Sequence, residues 1–264
     1  MSERTLPEAT YARTVLGSGP GLALAHGAGS SIADTYGPIL EGLAARHTVV
    51  GVDYPGSGHT PRSTTPLQLD DLADQLVAAA VAEGLNTFAL HGYSLGGPVA
   101  IRAAARHPER VAALVLTATF PHRDNHLVLA TSIWRKLAES GDRELLAEYL
   151  TMMAVGADAL EAIPDDQLQQ ALAFTAASIA DGTPEHAELA PRIDVRDDLA
   201  HIKAPTLVIS TVQDGFTSTR LHRQLADGIP GAKLVEILTG HLPMVERPEE
   251  WQQLITDFLA EHDA

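Results

Sequence analysis

Short apolar runs rich in β-branched residues alternate along the chain with longer stretches in which apolar positions return every three or four residues. The short runs are Gly21–Ala25, Thr48–Val52, Thr87–Leu90, Val111–Thr117, Thr206–Ser210 and Lys233–Leu238. Most are continuous rather than strictly alternating, as strands covered on both faces require. Between them the spacing predicts helices. Leu67–Val81 carries Leu69, Leu72, Leu76 and Val77 near helical period, and the alanine-rich Leu95–Arg106 is stopped by His107-Pro108. Trp251–Leu259 reads as a closing amphipathic helix. Strand and helix in alternation predict an α/β fold built on a mostly parallel, doubly wound sheet with crossover helices.

One region breaks this rhythm. From about Pro121 to Leu199 the patterns are helical only: Leu127–Ala138, Glu144–Val155, Asp166–Ile179 and Glu185–Leu189. Gly141, Gly156, Pro164 and Gly182-Thr183-Pro184 separate them. Strands resume at Pro205. A helical block between two strands of one sheet predicts an insertion packed over that sheet, which divides the chain into a core of residues 1–120 and 200–264 and a helical lid of residues 121–199.

Composition narrows the chemistry. The chain has 264 residues, 45% of them hydrophobic, enough for a full core. It has no cysteine, which excludes disulfides, zinc–thiolate sites and iron–sulfur clusters. A formal charge of −16 opposes nucleic acid and anionic membrane surfaces as partners. None of the 12 histidines shows paired metal-ligand spacing such as His-x-x-x-His on a plausible helix, so no metal and no cofactor is expected. Met1–Pro7 is polar, without the apolar core of a signal peptide, and no run reaches the ~18 apolar residues of a membrane span. The expectation is a cytoplasmic protein acting on a small molecule, with homo-oligomers left open.

The sharpest signal is His91-Gly92-Tyr93-Ser94-Leu95-Gly96-Gly97, between the strand Thr87–Leu90 and the helix Leu95–Arg106. It contains Gly-x-Ser-x-Gly in strand–turn–helix context. The tight turn strains the serine backbone, and glycines remove Cβ atoms where strand and helix approach. The hydroxyl then sits at a helix head, where free N–H groups favour developing negative charge. With this motif the sequence resembles the α/β-hydrolase family over essentially its whole length. Four further segments carry the resemblance: His26-Gly27-Ala28-Gly29, Asp53-Tyr54-Pro55-Gly56-Ser57-Gly58, Ala204–Ile209 followed by Asp214, and Gly240-His241 followed by Glu246–Glu250.

The resemblance implies the family's fold, with a helical lid between core strands, and its machinery: Ser94 as nucleophile, His241 as base and Asp214 as acid. Histidine suits the role because its pKa lies near neutrality, and a buried carboxylate fixes its tautomer. The acid segment departs from the family pattern. Thr211 stands where glycine is usual, and no proline follows at Thr217, so the loop shape is open to question. Asp214-Gly215 is also a common turn pair, and Asp124 is a distant reserve. His107, His201, His222 and His262 lie on helices or turns and make poorer bases. The oxyanion hole implied by the family is the pair of backbone N–H groups of Ala28 and Leu95. His26 is expected to bond nearby backbone.

Apolar residues of the helical block, Trp134, Tyr149, Met152, Met153 and Phe174, are candidates for the pocket wall, with Phe120 and Phe216 beside the sheet edge. They imply a mainly apolar substrate of small to medium size. The expected reaction is hydrolysis of an ester, lactone or thioester through an acyl-serine. The same three side chains also serve carbon–carbon bond hydrolysis, cofactor-free elimination and perhydrolysis, and a ligand receptor on a hydrolase scaffold is a reading of a different class. Haloalkane dehalogenase and epoxide hydrolase chemistry is disfavoured, because family members with those activities carry aspartate where Ser94 stands.

Overall fold

The computed structural model describes residues 6–264; most of the polar lead Met1–Pro7 lies outside them. Seven strands form one sheet: β1 (Arg13–Leu16), β2 (Gly21–Ala25), β3 (Thr48–Val52), β4 (Phe88–Tyr93), β5 (Val111–Thr117), β6 (Thr206–Thr211) and β7 (Lys233–Ile237). The order is β1-β3-β2-β4-β5-β6-β7, and every pairing is parallel except β1 with β3. The six strands read from the sequence are present within a few residues. The largest change is at β4, which runs on through Tyr93 to the threshold of Ser94.

Side chains alternate between two cores, as the period of two along a strand demands. Val50, Val52, Leu114, Leu116 and Val208 face one layer, shared with α2 (Leu69–Ala82) and α3 (Gly96–Arg106). Leu22, Leu24, Val49, Val115, Leu207 and Ile209 face the other, with α1 (Ile32–Ala44) and the C-terminal helix, Pro248–Glu261. Both faces being covered, the strands read as continuous apolar runs.

Among the elements that the sequence pattern did not predict are the first strand and the first helix. β1 is a short edge strand whose Val15 and Leu16 are each 41% exposed, so it lacks the apolar signature of its neighbours. Helix α1 contains Gly37, Pro38 and Gly42, which break its pattern. It is secured instead by Ser31, whose hydroxyl accepts from the Asp34 N–H as an N-cap, and by five buried side chains including Tyr36 and Ile39.

Between β5 and β6 lie six α-helices, a 3-10 turn at Ala190–Arg192 and no strand of the sheet. The α-helices are α4 (Asn125–Ser140), α5 (Arg143–Ala154), α6 (Ala157–Ala162), α7 (Asp165–Ser178), α8 (Thr183–Leu189) and α9 (Arg196–Leu199). An antiparallel bridge between His122 and Asp194 joins the two ends of this helical segment. Helix α4 packs on α8 and α5, and α5 packs on α7. The remaining helices are α10 (Thr219–Gly228), α11 (Pro243–Glu246) and α12, the C-terminal helix.

Candidate active site

Ser94 lies between β4 and α3 with φ of +52°, in the left-handed region that side chains other than glycine rarely adopt. Such a conformation costs about 1–3 kcal/mol and persists only where its surroundings over-determine it. They do so here. The Ser94 N–H donates to the Thr117 carbonyl at 3.1 Å, and its own carbonyl accepts from the Gly97 N–H at 2.9 Å and the Thr119 hydroxyl at 2.6 Å. A Cβ at Gly92 would collide with the Gly96 backbone, and one at Gly96 with the Ala25 carbonyl, so the turn admits neither. The hydroxyl is thereby carried to the carboxyl edge of the sheet at the head of α3.

His241 follows β7 on the same edge. Its Nδ1–H donates to Asp214 Oδ2 at 2.7 Å, which leaves the bare Nε2 to accept from Ser94 Oγ at 2.8 Å. The side chain of Asp214 is fully buried and that of His241 is 9% exposed. The imidazole is fixed from several directions. Its backbone N–H donates to the Ala154 carbonyl at 2.6 Å, and its carbonyl accepts from the Tyr93 hydroxyl at 2.7 Å. Both Glu246 carboxylate oxygens accept from the neighbouring Gly240 N–H at 3.0 Å, and Oε1 also accepts from the Gly156 N–H at 3.1 Å.

Asp214 accepts five hydrogen bonds. Oδ1 takes the Phe216 and Thr217 N–H groups at 2.8 Å each, and Oδ2 takes His241 and the hydroxyls of Thr211 and Thr217, the latter two at 2.8 Å. Burial alone would raise the carboxyl pKa. The charge and hydrogen bond of His241, then the charge of His222 and the Thr217 N–H, outweigh it and hold the group below the usual carboxylate value. The two threonines that depart from the family pattern are therefore the residues whose hydroxyls clamp the carboxylate.

Ala28 and Leu95 lie on either side of the serine turn, in the loop after β2 and at the start of α3. Among the described residues, neither backbone N–H donates to another protein group. His26, wholly buried, donates from Nδ1 to the Gly27 carbonyl at 2.7 Å and accepts the Tyr54 N–H on Nε2 at 3.0 Å, the backbone role expected of it. Burial, with the charge of His186 adding to it, lowers its pKa to about 3.

The wall candidates divide. Trp134, Tyr149, Met153 and Phe216 gather in one apolar cluster with Ala130, Leu150, Ala154 and Leu242. Phe216 bridges to the site, its ring 5.2 Å from His241 and 5.5 Å from Trp134. Phe120 is buried in the core cluster that contains Leu95. Met152 and Phe174 are corrections: they are 62% and 73% exposed and face outward. In α7 the inward stripe is Leu168, Leu172, Thr175 and Ala176, and Phe174 falls on the opposite side. In α5 the stripe is Leu146, Ala147, Thr151 and Ala154, and Met152 lies off it.

Sequence reasoning missed the supporting residues. His186 of α8, 0% exposed, accepts the Gly29 N–H on Nδ1 and donates from Nε2 to the Pro55 carbonyl, both at 3.0 Å. It joins the helical segment to the loop that carries Ala28. Its only signal was its place in the short pattern Glu185–Leu189. His222, set aside as a helical histidine, lies directly behind Thr217.

A serine in a strained strand-to-helix turn, with an imidazole and a buried carboxylate in line at the edge of a parallel sheet, defines the α/β-hydrolase class. The family profile described as alpha/beta hydrolase fold matches residues 22–248, and the chain belongs to that family as an α/β-fold hydrolase. It is 32% identical over 265 residues to the pyrrolizixenacetamide deacetylase of Xenorhabdus hominickii, covering 100% of this chain and 99% of that one. It is 29% identical to the pimeloyl-[acyl-carrier protein] methyl ester esterase of Aeromonas hydrophila, over 92% of this chain and 96% of the other. The crystal structure of an enol-lactonase from Burkholderia xenovorans superposes with a TM-score of 0.84 at 22% identity, over 94% of this chain and 96% of that one. No helix of the described residues is long and apolar enough to cross a membrane.

Proposed function

We propose that this chain is a serine hydrolase that cleaves an ester or amide bond in a small, mainly apolar substrate through an acyl-serine intermediate. The observation that carries this reading is the unbroken line from Ser94 Oγ to His241 Nε2 at 2.8 Å and from His241 Nδ1 to Asp214 at 2.7 Å. Phe120, Trp134, Tyr149, Met153 and Phe216 supply an apolar surround, with the helical segment of residues 121–199 as a lid. The names of two relatives support a substrate with one small side, since one is named for removing an acetyl group and the other for a methyl ester.

Ser94 Oγ bonds to the carbonyl carbon as His241 Nε2 takes its proton. The carbonyl oxygen becomes an oxyanion held by the Ala28 and Leu95 N–H groups, each such donor contributing roughly 3–4 kcal/mol to the transition state. His241 returns the proton to the leaving alcohol or amine as its bond to carbon breaks. Water then gives a proton to His241 and its oxygen to the acyl carbon, and the carboxylic acid leaves as Ser94 is reprotonated. Asp214, kept ionised by its five donors, stabilises the imidazolium throughout.

The test is turnover of para-nitrophenyl acetate and para-nitroacetanilide, with labelling by a fluorophosphonate, in the wild type and in Ser94→Ala. Expected are hydrolysis of both compounds and covalent labelling, with kcat reduced roughly a millionfold by the substitution. Turnover that survives in Ser94→Ala, or labelling without turnover of any ester or amide, overturns the reading.

A further inference from the structure

The five acceptances by Asp214 set the direction of every hydrogen bond behind it. An ionised carboxylate only accepts, so the Thr217 hydroxyl, 2.8 Å from Oδ2, must spend its proton there. Thr217 Oγ1 is then left as an acceptor, and the neighbour 3.0 Å away is His222 Nε2, which must carry a proton. A neutral imidazole protonated on Nε2 has a bare Nδ1, and Ser210 Oγ lies 2.9 Å from it, able to donate. Protons therefore point one way, from Ser210 to His222 to Thr217 to Asp214, and meet on the same carboxylate as the proton of His241.

The chain is sealed. Ser210 and His222 are 0% exposed and Thr217 is 1% exposed. All of it comes from one stretch of sequence: the end of β6 gives Ser210 and Thr211, the following loop gives Asp214 and Thr217, and α10 gives His222. Burial lowers the His222 pKa to about 4, the charge of Asp214 opposing and that of His241 reinforcing. The ring stays neutral at working pH, so it donates without placing a second cation beside Asp214 to compete with the imidazolium at His241.

We propose that Thr217 and His222 are positioning residues: together they lock the Asp214 carboxylate in the orientation that accepts from His241, and so set the imidazole on Ser94. Without the ring, the Thr217 hydroxyl loses the donor that fixes its rotamer. Without the hydroxyl, Oδ2 keeps His241 and Thr211 but the carboxylate is freer to rotate about the Cβ–Cγ bond. The inference rests on reading Asp214 as the acid of a serine hydrolase.

The test compares Thr217→Val with Thr217→Ser, and His222→Leu with His222→Gln, whose amide nitrogen can replace Nε2 as donor. Three readouts are taken: kcat and KM for para-nitrophenyl acetate, the thermal midpoint, and the far-downfield NMR signal of the His241 Nδ1 proton. Thr217→Val and His222→Leu should lower kcat roughly 10- to 100-fold with KM within about threefold, because small misplacements of reacting groups cost that much. They should also shift or broaden the downfield signal. Thr217→Ser and His222→Gln should keep kcat within about threefold of the wild type. Should His222→Leu fail to fold, the Thr217 pair decides. The inference is overturned if Thr217→Val, folded, keeps wild-type kcat with the signal unmoved, or if the members of each pair behave alike. The NMR signal is read without substrate. Survival of turnover in Ser94→Ala would therefore sink the serine mechanism while leaving the hydrogen-bond chain separately tested.

Discussion

Helices α7 and α8 belong to the same insertion and are held in opposite ways. The longer one, α7, buries no side chain fully and leaves Phe174 open to solvent. It leans on α5, and Arg143 donates to the carbonyls of Ala176 and Ile179 at its C-terminal end. The shorter one, α8, buries Thr183, His186, Ala187 and Leu189. Through His186 it binds both the loop of Ala28 and the turn at Pro55, and the Gly182 N–H before it donates to the Gly56 carbonyl at 2.9 Å. Apolar content does not tell which helix covers a site. The polar tie does, because a buried imidazole left without partners would cost too much to remain there.

The largest expected effect that sharpens this contrast is acid sensitivity. Burial, as the leading cause, lowers the pKa of His26 and His91 to about 3 and of His186 and His222 to about 4, against 6.5 for an unfolded histidine. Between these limits the unfolded chain binds protons that the folded chain refuses. The stability these rings confer is whole above pH 6.5 and is lost as pH falls through that value toward 4. Four such rings amount to roughly 5 kcal/mol between pH 7.5 and 5.5. Urea denaturation at the two values measures it, and an unchanged midpoint would mean the rings are not buried neutral. Helix α7 contributes no histidine to this effect; α8 contributes His186, and His186→Gln should remove about one proton from the slope.

Next in size, His186→Ala should cost about 3–4 kcal/mol, since it empties a packed site and orphans the Gly29 N–H and the Pro55 carbonyl. It should lower kcat more than it raises KM, because the loosened loop carries Ala28. A wild-type kcat in a folded His186→Ala protein would break the link between α8 and the oxyanion role proposed for the loop of Ala28. Glu246→Ala should cost about 1–2 kcal/mol by unpairing the Gly240 and Gly156 N–H groups, visible as a lower thermal midpoint and a lower kcat. Smallest are Phe174→Ala and Met152→Ala, expected within about 0.5 kcal/mol and without effect on KM. A rise in KM for either would return these outer faces to the pocket.

Much of the architecture was legible because parallel strands buried on both faces announce themselves as apolar runs, and because a Gly-x-Ser-x-Gly turn has few other uses in that setting. β1 was not legible: an exposed edge strand has no apolar face to show. Nor was α1, whose Gly37, Pro38 and Gly42 erase the period that its Ser31 cap and buried Tyr36 make up for in space. The meeting of Ser94, His241 and Asp214 followed from the resemblance, but its clamps did not. Thr211 and Thr217 read as irregularities, and His222 as a helix or turn histidine poorly suited as the base, because hydrogen-bond direction is a property of three dimensions. Leu221, His222 and Leu225 are all buried on α10, and that spacing was the one cue that placed His222 inward.

The junction of α5 and α6 has a mechanical meaning. The Met153 carbonyl takes the Gly215 N–H beside the acid, the Ala154 carbonyl takes the His241 N–H, and Glu246 spans Gly156 and Gly240. We propose that the helical segment of residues 121–199, tied at this end to the loops of Asp214 and His241 and at the other through α8 to the loop of Ala28, is a lid that admits substrate by aperture rather than by hinge. Along a series of esters with lengthening acyl chains, turnover should therefore stop abruptly at one length instead of fading.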